Sequence, residues 1–377
     1  MSEVLSVVLY VVPFLAVLTA IVYVHELGHY WVGRWNGVQV ETFSIGFGPE
    51  LFGWTNRHGT RWKISALPLG GYVKFYGDAS AASNPAEALA QMTPEERSRS
   101  LHGKSVLQRS AVVAAGPAAN FLFAIAIYAL LFTFFGQPFT PPVVGSVAEG
   151  SAAETAGLRA GDRILRIDGS TIQRFEELRA IVMVNADTPL KVDLERDSQP
   201  LTLTVTPARK DVPDGFGGSH KVGQLGIGGG KPEFIQLDPL SAVWQGVRET
   251  GAVVSTNLTY IKRLVTGAES GDQISGPIGI AKITGDVARL SLLALVSLMA
   301  TESVAIGFIN LFPIPMLDGG HLLFYALEAI RGRPLGERAQ EVGFRIGLTF
   351  VLSLFLFATW NDLGRNGVIK FVAGLFS

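Results

Sequence analysis

The residues of this chain whose types and spacing could do chemistry begin at His25-Glu26-Leu27-Gly28-His29. On a helix, two histidines four positions apart project from one face, so both imidazoles can reach a single metal ion. Glu26 lies about 100° round the axis and can approach a further position on that ion. An ion held by three protein ligands keeps a place for water and lowers its pKa to about 7, and a neighbouring carboxylate can take the proton as the oxygen attacks a carbonyl. The chain contains no cysteine, so thiolate ligands and disulfides are excluded and His, Asp or Glu must hold such an ion.

The surroundings of this H-E-x-x-H pattern, an arrangement found in zinc hydrolases, narrow its meaning. Residues 4–24 carry no charged side chain, about 31 Å of helix at ~1.5 Å per residue, against a hydrocarbon core of ~30 Å. The motif therefore sits at a membrane boundary, where ionisable groups are costly unless they bind something. Lacking a basic leader and long enough to span, the segment is expected to be retained as a transmembrane helix and not cleaved as a signal peptide.

A third ligand is sought among carboxylates at comparable depth. Asn310-Leu311-Phe312-Pro313-Ile314-Pro315-Met316-Leu317-Asp318-Gly319-Gly320-His321 closes another apolar segment, and its prolines and glycines break the helix beside Asp318. Asp318 is the best available third zinc ligand, and its alternative role is to cap the helix that follows. His321 could stand behind the ligands, or be a helix-surface histidine.

The 377 residues are 48% hydrophobic and 17% charged, with net charge −1 and mean hydropathy +0.33. That composition describes a polytopic α-helical membrane protein with soluble insertions, and no basic surface argues for nucleic acid. The expected order is a first transmembrane helix over 1–35 and a cytoplasmic-side β-hairpin and loop over 36–110, with one or two short helices after residue 79. A second span over 111–136 follows, then a soluble module over 137–210. A Gly-rich linker and a surface amphipathic helix fill 211–289. A third span carries Asp318 within 290–330, and a fourth occupies 341–362.

Residues 62–75 alternate apolar and polar about Gly70-Gly71, which predicts a β-hairpin turning there. It either caps the membrane or offers an edge, around Gly70, Gly71 and Tyr72, that takes a substrate peptide as an added strand. Residues 151–169 run helix, Gly157 cap, Gly161-Asp162 turn, strand and Asp168-Gly169 turn, with a second helix expected over 175–184. This string resembles a PDZ domain, which would either capture a peptide end or filter substrates by size. Nine Lys and Arg residues from Arg34 to Arg109, and Arg331, Arg333 and Arg338, place the loops between spans one and two and between three and four in the cytoplasm. His25, His29 and Asp318 then share the cytoplasmic side, with the PDZ-like module outside.

Together these motifs resemble the site-2 proteases, intramembrane zinc metalloproteases, and among them the bacterial regulator-of-sigma-E branch with a single PDZ domain. The resemblance rests on the H-E-x-x-H stretch, Pro68 to Val73, Gly116-Pro117 with Asn120-Phe121, the PDZ module, and Asn310 through Leu317-Asp318-Gly319. It implies zinc held by His25, His29 and Asp318, with Glu26 as general base. It also implies a multi-pass protein of the bacterial inner membrane acting on single-span membrane proteins such as anti-sigma factors. Ala305 stands where many relatives carry an asparagine near the substrate path, leaving Asn310 to hold the unwound peptide. Two other classes fit parts of the sequence. A metal-ion transporter accounts for intramembrane ligands but gives Glu26 no task, and an inactive PDZ scaffold does not need an intact H-E-x-x-H.

Overall fold

The computed structural model describes residues 3–77, 92–213, 219–231, 233–267, 271 and 274–365. Two compact units make up the chain. One comprises Met1–Ala129, Val243–Leu258 and Asp272–Ser377, the other Leu130–Ala242 and Thr259–Gly271.

The first unit opens with α1 (Glu3–Trp35), a single apolar helix that carries the H-E-x-x-H stretch in its last third. Strands β1 (Val40–Thr55) and β2 (Arg61–Phe75) follow and pair antiparallel. They reverse at residues 56–60, where the Asn56 side-chain oxygen accepts from the backbone amides of His58 and Thr60. The turn expected at Gly70-Gly71 is therefore absent, and β2 runs through it. A two-residue hairpin turn of the common type needs positive φ at both central positions. Gly70 has it (φ 109°), but Gly71 does not and instead sits in the ladder opposite Ile45. Gly70 thus bends the strand, as Gly46 and Gly48 bend β1, and residues 42–45 end up in register with both 61–64 and 71–74. Phe43, wholly buried, stacks on Trp62 and meets Tyr30 of α1 edge-on, which fastens this sheet to the helix.

The expected short helix after residue 79 is α2 (Pro94–Arg99). It is set by Thr93 and Glu96 in a reciprocal capping box with Pro94 at the first position. The stretch 78–91 lies outside the described residues. Next, α3 (Val106–Phe134) begins five residues before the expected second span.

The second unit holds a four-stranded sheet in the order β6-β5-β7-β8, from β5 (Arg163–Ile167), β6 (Ser170–Thr171), β7 (Leu190–Arg196) and β8 (Gln199–Val205). It also contains β3 (Gln137–Phe139), β4 (Val144–Val147), α4 (Ala152–Thr155) and α5 (Phe175–Val184). Val144, Ile164, Ile167, Leu178, Leu190, Leu194, Val205 and Leu225 form its core. The linker expected from residue 211 is instead folded over much of its length. There β9 (Ala208–Pro213) pairs with β10 (Ser219–Gln224), β11 (Ile227–Gly229) with β4, and β12 (Glu233–Ile235) with β3. Gly223 packs against backbone, where a Cβ would come within 2.1 Å of the Val182 carbonyl oxygen.

Helix α6 (Pro239–Val265) starts at an Asp238 cap. Back in the first unit, α7 (Pro277–Leu290) and α8 (Leu292–Asn310) meet at Ser291, which caps α8. The third apolar segment is then interrupted: residues 311–317 are not helical, and α9 (Asp318–Arg331) restarts and ends at Gly332 in the left-handed conformation. Last comes α10 (Glu337–Arg365). Four helices among the described residues are long and apolar enough to cross a membrane, Val8–Trp35, Val106–Phe134, Leu292–Asn310 and Arg338–Gly364.

Candidate metal centre

Helix α1 carries His25 and His29 one turn apart, and their Nε2 atoms lie 3.2 Å from each other. From nearly 300 positions downstream, Asp318 closes the triangle. Its Oδ2 is 3.1 Å from His25 Nε2 and its Oδ1 3.5 Å from His29 Nε2. Both histidines are buried, and the three side chains are the one group of this kind that could hold a metal ion among the described residues.

The hydrogen bonds behind the rings decide what these atoms present. His29 Nδ1 lies 2.9 Å from the Val112 carbonyl oxygen, which can only accept, so Nδ1 carries the proton and Nε2 is bare. His25 Nδ1 lies 3.3 Å from the amide of Asn120, a residue with no exposure whose Oδ1 is a buried oxygen without a partner. Turning that amide by 180° lets Oδ1 accept from His25 Nδ1–H, which satisfies the orphan and leaves His25 Nε2 bare as well. Two imidazole lone pairs then face a carboxylate whose buried Oδ2 also lacks a hydrogen-bond donor. Such a cluster is mutually repulsive without a cation among its atoms, and two nitrogens with a carboxylate oxygen suit zinc.

Small residues make the approach possible. A Cβ on Gly28 would stand 2.3 Å from the Ala115 carbonyl oxygen, so the backbones of α1 and α3 meet there. On α3 itself, a Cβ on Gly116 would lie 2.3 Å from His29 Nε2 and 2.8 Å from His25 Nε2. Gly319 and Gly320 fit beneath the break, where Cβ atoms would meet the carbonyl oxygens of Phe312 at 2.2 Å and Ile314 at 2.4 Å. Met316 takes a positive φ of 91°, and Leu317, not Asp318, occupies the cap position of α9. Asp318 is thereby left free of the capping role and directed at the histidines.

A cavity of about 920 Å³ opens onto this cluster. Its walls include Glu26, Gly70, Gly71, Tyr72 and Asn310 beside His25, His29 and Asp318, so the expected base, ligands and substrate-binding residues border one space. Glu26 packs close to the β2 edge, where a Cβ on Gly71 would stand 3.4 Å from its Cγ. His321 is exposed and borders the same cavity. Sequence reasoning missed two features around the site. Asn120 appeared in a motif without a task, and its partner nitrogen lies 95 positions away. Arg109 makes paired bonds of 2.6 and 3.1 Å to Glu328 and stacks 4.8 Å from the centre of the Tyr325 ring, joining the start of α3 to α9. A lone cation before one apolar run and a lone carboxylate in another were its only signal.

Residues 13–354 match the model of peptidase family M50. A protein of Agrobacterium fabrum provisionally named a zinc metalloprotease is 50% identical over 359 residues, covering 94% of this chain and 95% of that protein. A similarly named protein of Rhizobium meliloti is 48% identical, covering 96% of this chain and 99% of its own length. The metalloprotease MmpA of Caulobacter vibrioides is 42% identical over 392 residues, covering 97% and 98%.

Proposed function

This chain belongs to peptidase family M50 and is a zinc metalloprotease with membrane-spanning helices, and we propose that it cuts single-span membrane proteins within or near their transmembrane segment. The observation that carries the reading is the convergence of His25, His29, Asp318 and Glu26 on one cavity at the end of an apolar helix.

In this reading His25, His29 and Asp318 hold the zinc, which polarises a water and the scissile carbonyl when bound. Glu26 takes the proton from the attacking water and returns it to the leaving amine. Val112 and Asn120 fix the imidazole tautomers, and Gly116 leaves room for both rings. A helical substrate has its carbonyls hydrogen-bonded and shielded, so it must unwind before attack. The edge at Gly70, Gly71 and Tyr72 takes the freed strand, and Asn310, which lines the same cavity, bonds to its backbone. Water reaches the site through the broken backbone at residues 311–317.

Residues 137–210 are read as a single PDZ domain on the outer face that receives peptide ends or filters substrates by size, and residues 36–110 as a hairpin and loop on the cytoplasmic face. The charge distribution supports that orientation in a bacterial inner membrane. Anti-sigma factors are substrates of the expected kind. The test is cleavage of a single-span model protein in proteoliposomes by the parent and by Glu26→Gln. Removing a positioned general base costs about 10²- to 10⁴-fold, so the variant should bind zinc and accumulate uncut substrate. Processing at the parent's rate would sink the mechanism.

A further inference from the structure

Helix α8 contains one ionisable side chain, Glu302, near the middle of a span otherwise made of apolar and small residues. Neither its hydrogen-bonding nor its charge is used by the residues around it. Among the described residues Glu302 makes no hydrogen bond and no ion pair, whereas its neighbours in sequence are both engaged. The Thr301 hydroxyl lies 2.9 Å from the Tyr128 hydroxyl, and the Ser303 hydroxyl donates to the Asn120 carbonyl at 3.0 Å, both on α3. A half-buried carboxylate at this depth is expensive unless something pairs with it.

Its direction follows from helix geometry. At about 100° per residue, Glu302 points about 140–160° away from Ala300, Val304 and Gly307, the buried face of α8. Gly307 marks that face as the one against α3, since a Cβ there would meet Asn120 Cβ at 3.0 Å and the Pro117 carbonyl oxygen at 3.1 Å. Glu302 lies only about 40° from Ile306, one turn on, and Ile306 and Asn310 both line the cavity that holds the metal cluster. The carboxylate also lies about 20° from the exposed Ile309, so it stands on the shoulder of α8 between its open face and the cavity, about 12 Å along the helix from Asn310.

We propose that Glu302 is a specificity-determining residue that pairs with a Lys or Arg side chain in the substrate's transmembrane segment. The proposal rests on the protease reading above. Twelve ångströms equals about eight residues of helix or four of extended chain, so the favoured position lies about four to eight residues outward of the scissile bond. A cation at that depth is itself costly, and pairing with Glu302 removes both penalties at once. Substrates with such a residue are then drawn into register, while wholly apolar spans gain nothing from it.

The test uses the full-length protein in proteoliposomes with two single-span model substrates, one uniformly apolar and one with a Lys scanned through positions four to eight outward of the cut. The parent is expected to prefer the Lys substrate at one position. Glu302→Gln and Glu302→Leu should lower kcat/KM on that substrate by about 10- to 100-fold, the worth of one charge-assisted bond, and leave the apolar substrate within about 2-fold. Glu302→Lys should restore cleavage of a substrate carrying Glu at the same position, a rescue that a purely structural role does not produce. Equal losses on both substrates, or none on the Lys substrate, overturn the proposal. If the parent cuts neither substrate, the protease reading itself fails, and this proposal with it.

Discussion

Gly116→Ala asks whether the three ligands work as a rigid unit. The added methyl would stand 2.3 Å from His29 Nε2 and 2.8 Å from His25 Nε2, where ordinary contact begins near 3.4 Å, so at least one ring must retreat by about 1 Å. A long surface side chain absorbs such a shift cheaply. These rings cannot, because His29 is tied through Nδ1 to the Val112 carbonyl and His25 through Nδ1 to Asn120, both on the helix that carries the new methyl. Metal–ligand distances tolerate about 0.2 Å, so a 1 Å displacement removes a ligand from its place.

The expected loss is about 10- to 100-fold in zinc affinity, comparable to removing a supporting hydrogen bond. Misplacing the reacting groups by 1 Å costs about 10²-fold more in cleavage rate at saturating zinc. Exchanging Gly for Ala favours the helix itself by about 1 kcal/mol, which offsets part of the overlap, so the helix should persist while the ligand cluster is displaced. Zinc content by mass spectrometry, chelator competition and cleavage of a model membrane substrate measure these effects, with thermal stability as the control. A variant that melts no lower than the parent, keeps its zinc and cleaves within about 3-fold would refute the geometry argued here.

Asn120→Ala removes the group that orients His25 and should weaken zinc binding by about 10- to 100-fold without displacing His29, as chelator competition would reveal. In the second unit, burial works to raise the Asp162 carboxyl. The hydrogen bonds from Arg196 and the Arg159 amide, with both guanidinium charges, hold it below the usual carboxylate range instead. A depressed folded pKa contributes stability in full above the unfolded value near 4, and the contribution fades as pH falls through the folded value. Asp162→Asn in the full chain should therefore cost about 2–3 kcal/mol at pH 7, read as about a 30- to 160-fold drop in hydrogen-exchange protection of β5 and β7 amides. The variant and parent should converge at strongly acidic pH, and equal protection at pH 7 would remove Asp162 from the account.

What was legible in the sequence follows the range of the interactions involved. The pairing of His25 with His29 is a local consequence of helix periodicity, and the convergence of Asp318 follows from a carboxylate beside a backbone break at membrane depth. The sheet was legible only in part, because Gly70-Gly71 looks like a turn while the reversal actually depends on Asn56 bonding two amides ahead. Residues 211–230 looked like a linker since their glycines and polar residues match one, yet β11 pairs with a strand some eighty positions earlier and Gly223 lies against the Val182 carbonyl. No local pattern encodes such a partner.

Glycine accounts for the largest part of what was missed. A sequence presents it as punctuation, a cap or a bend, and Gly70 and Gly332 do serve that way. Gly28, Gly116 and Gly319 serve by having nothing where a methyl would stand, and the atoms that need the space belong to other elements. Their role is therefore invisible until the helices are packed. It also explains why a metal cluster built from three side chains depends on at least three positions that contribute no ligand. Each of these glycines would be tolerated as alanine in an isolated helix, so the constraint on it comes from the assembled site, and loss of zinc without loss of helix is the signature to seek at all three.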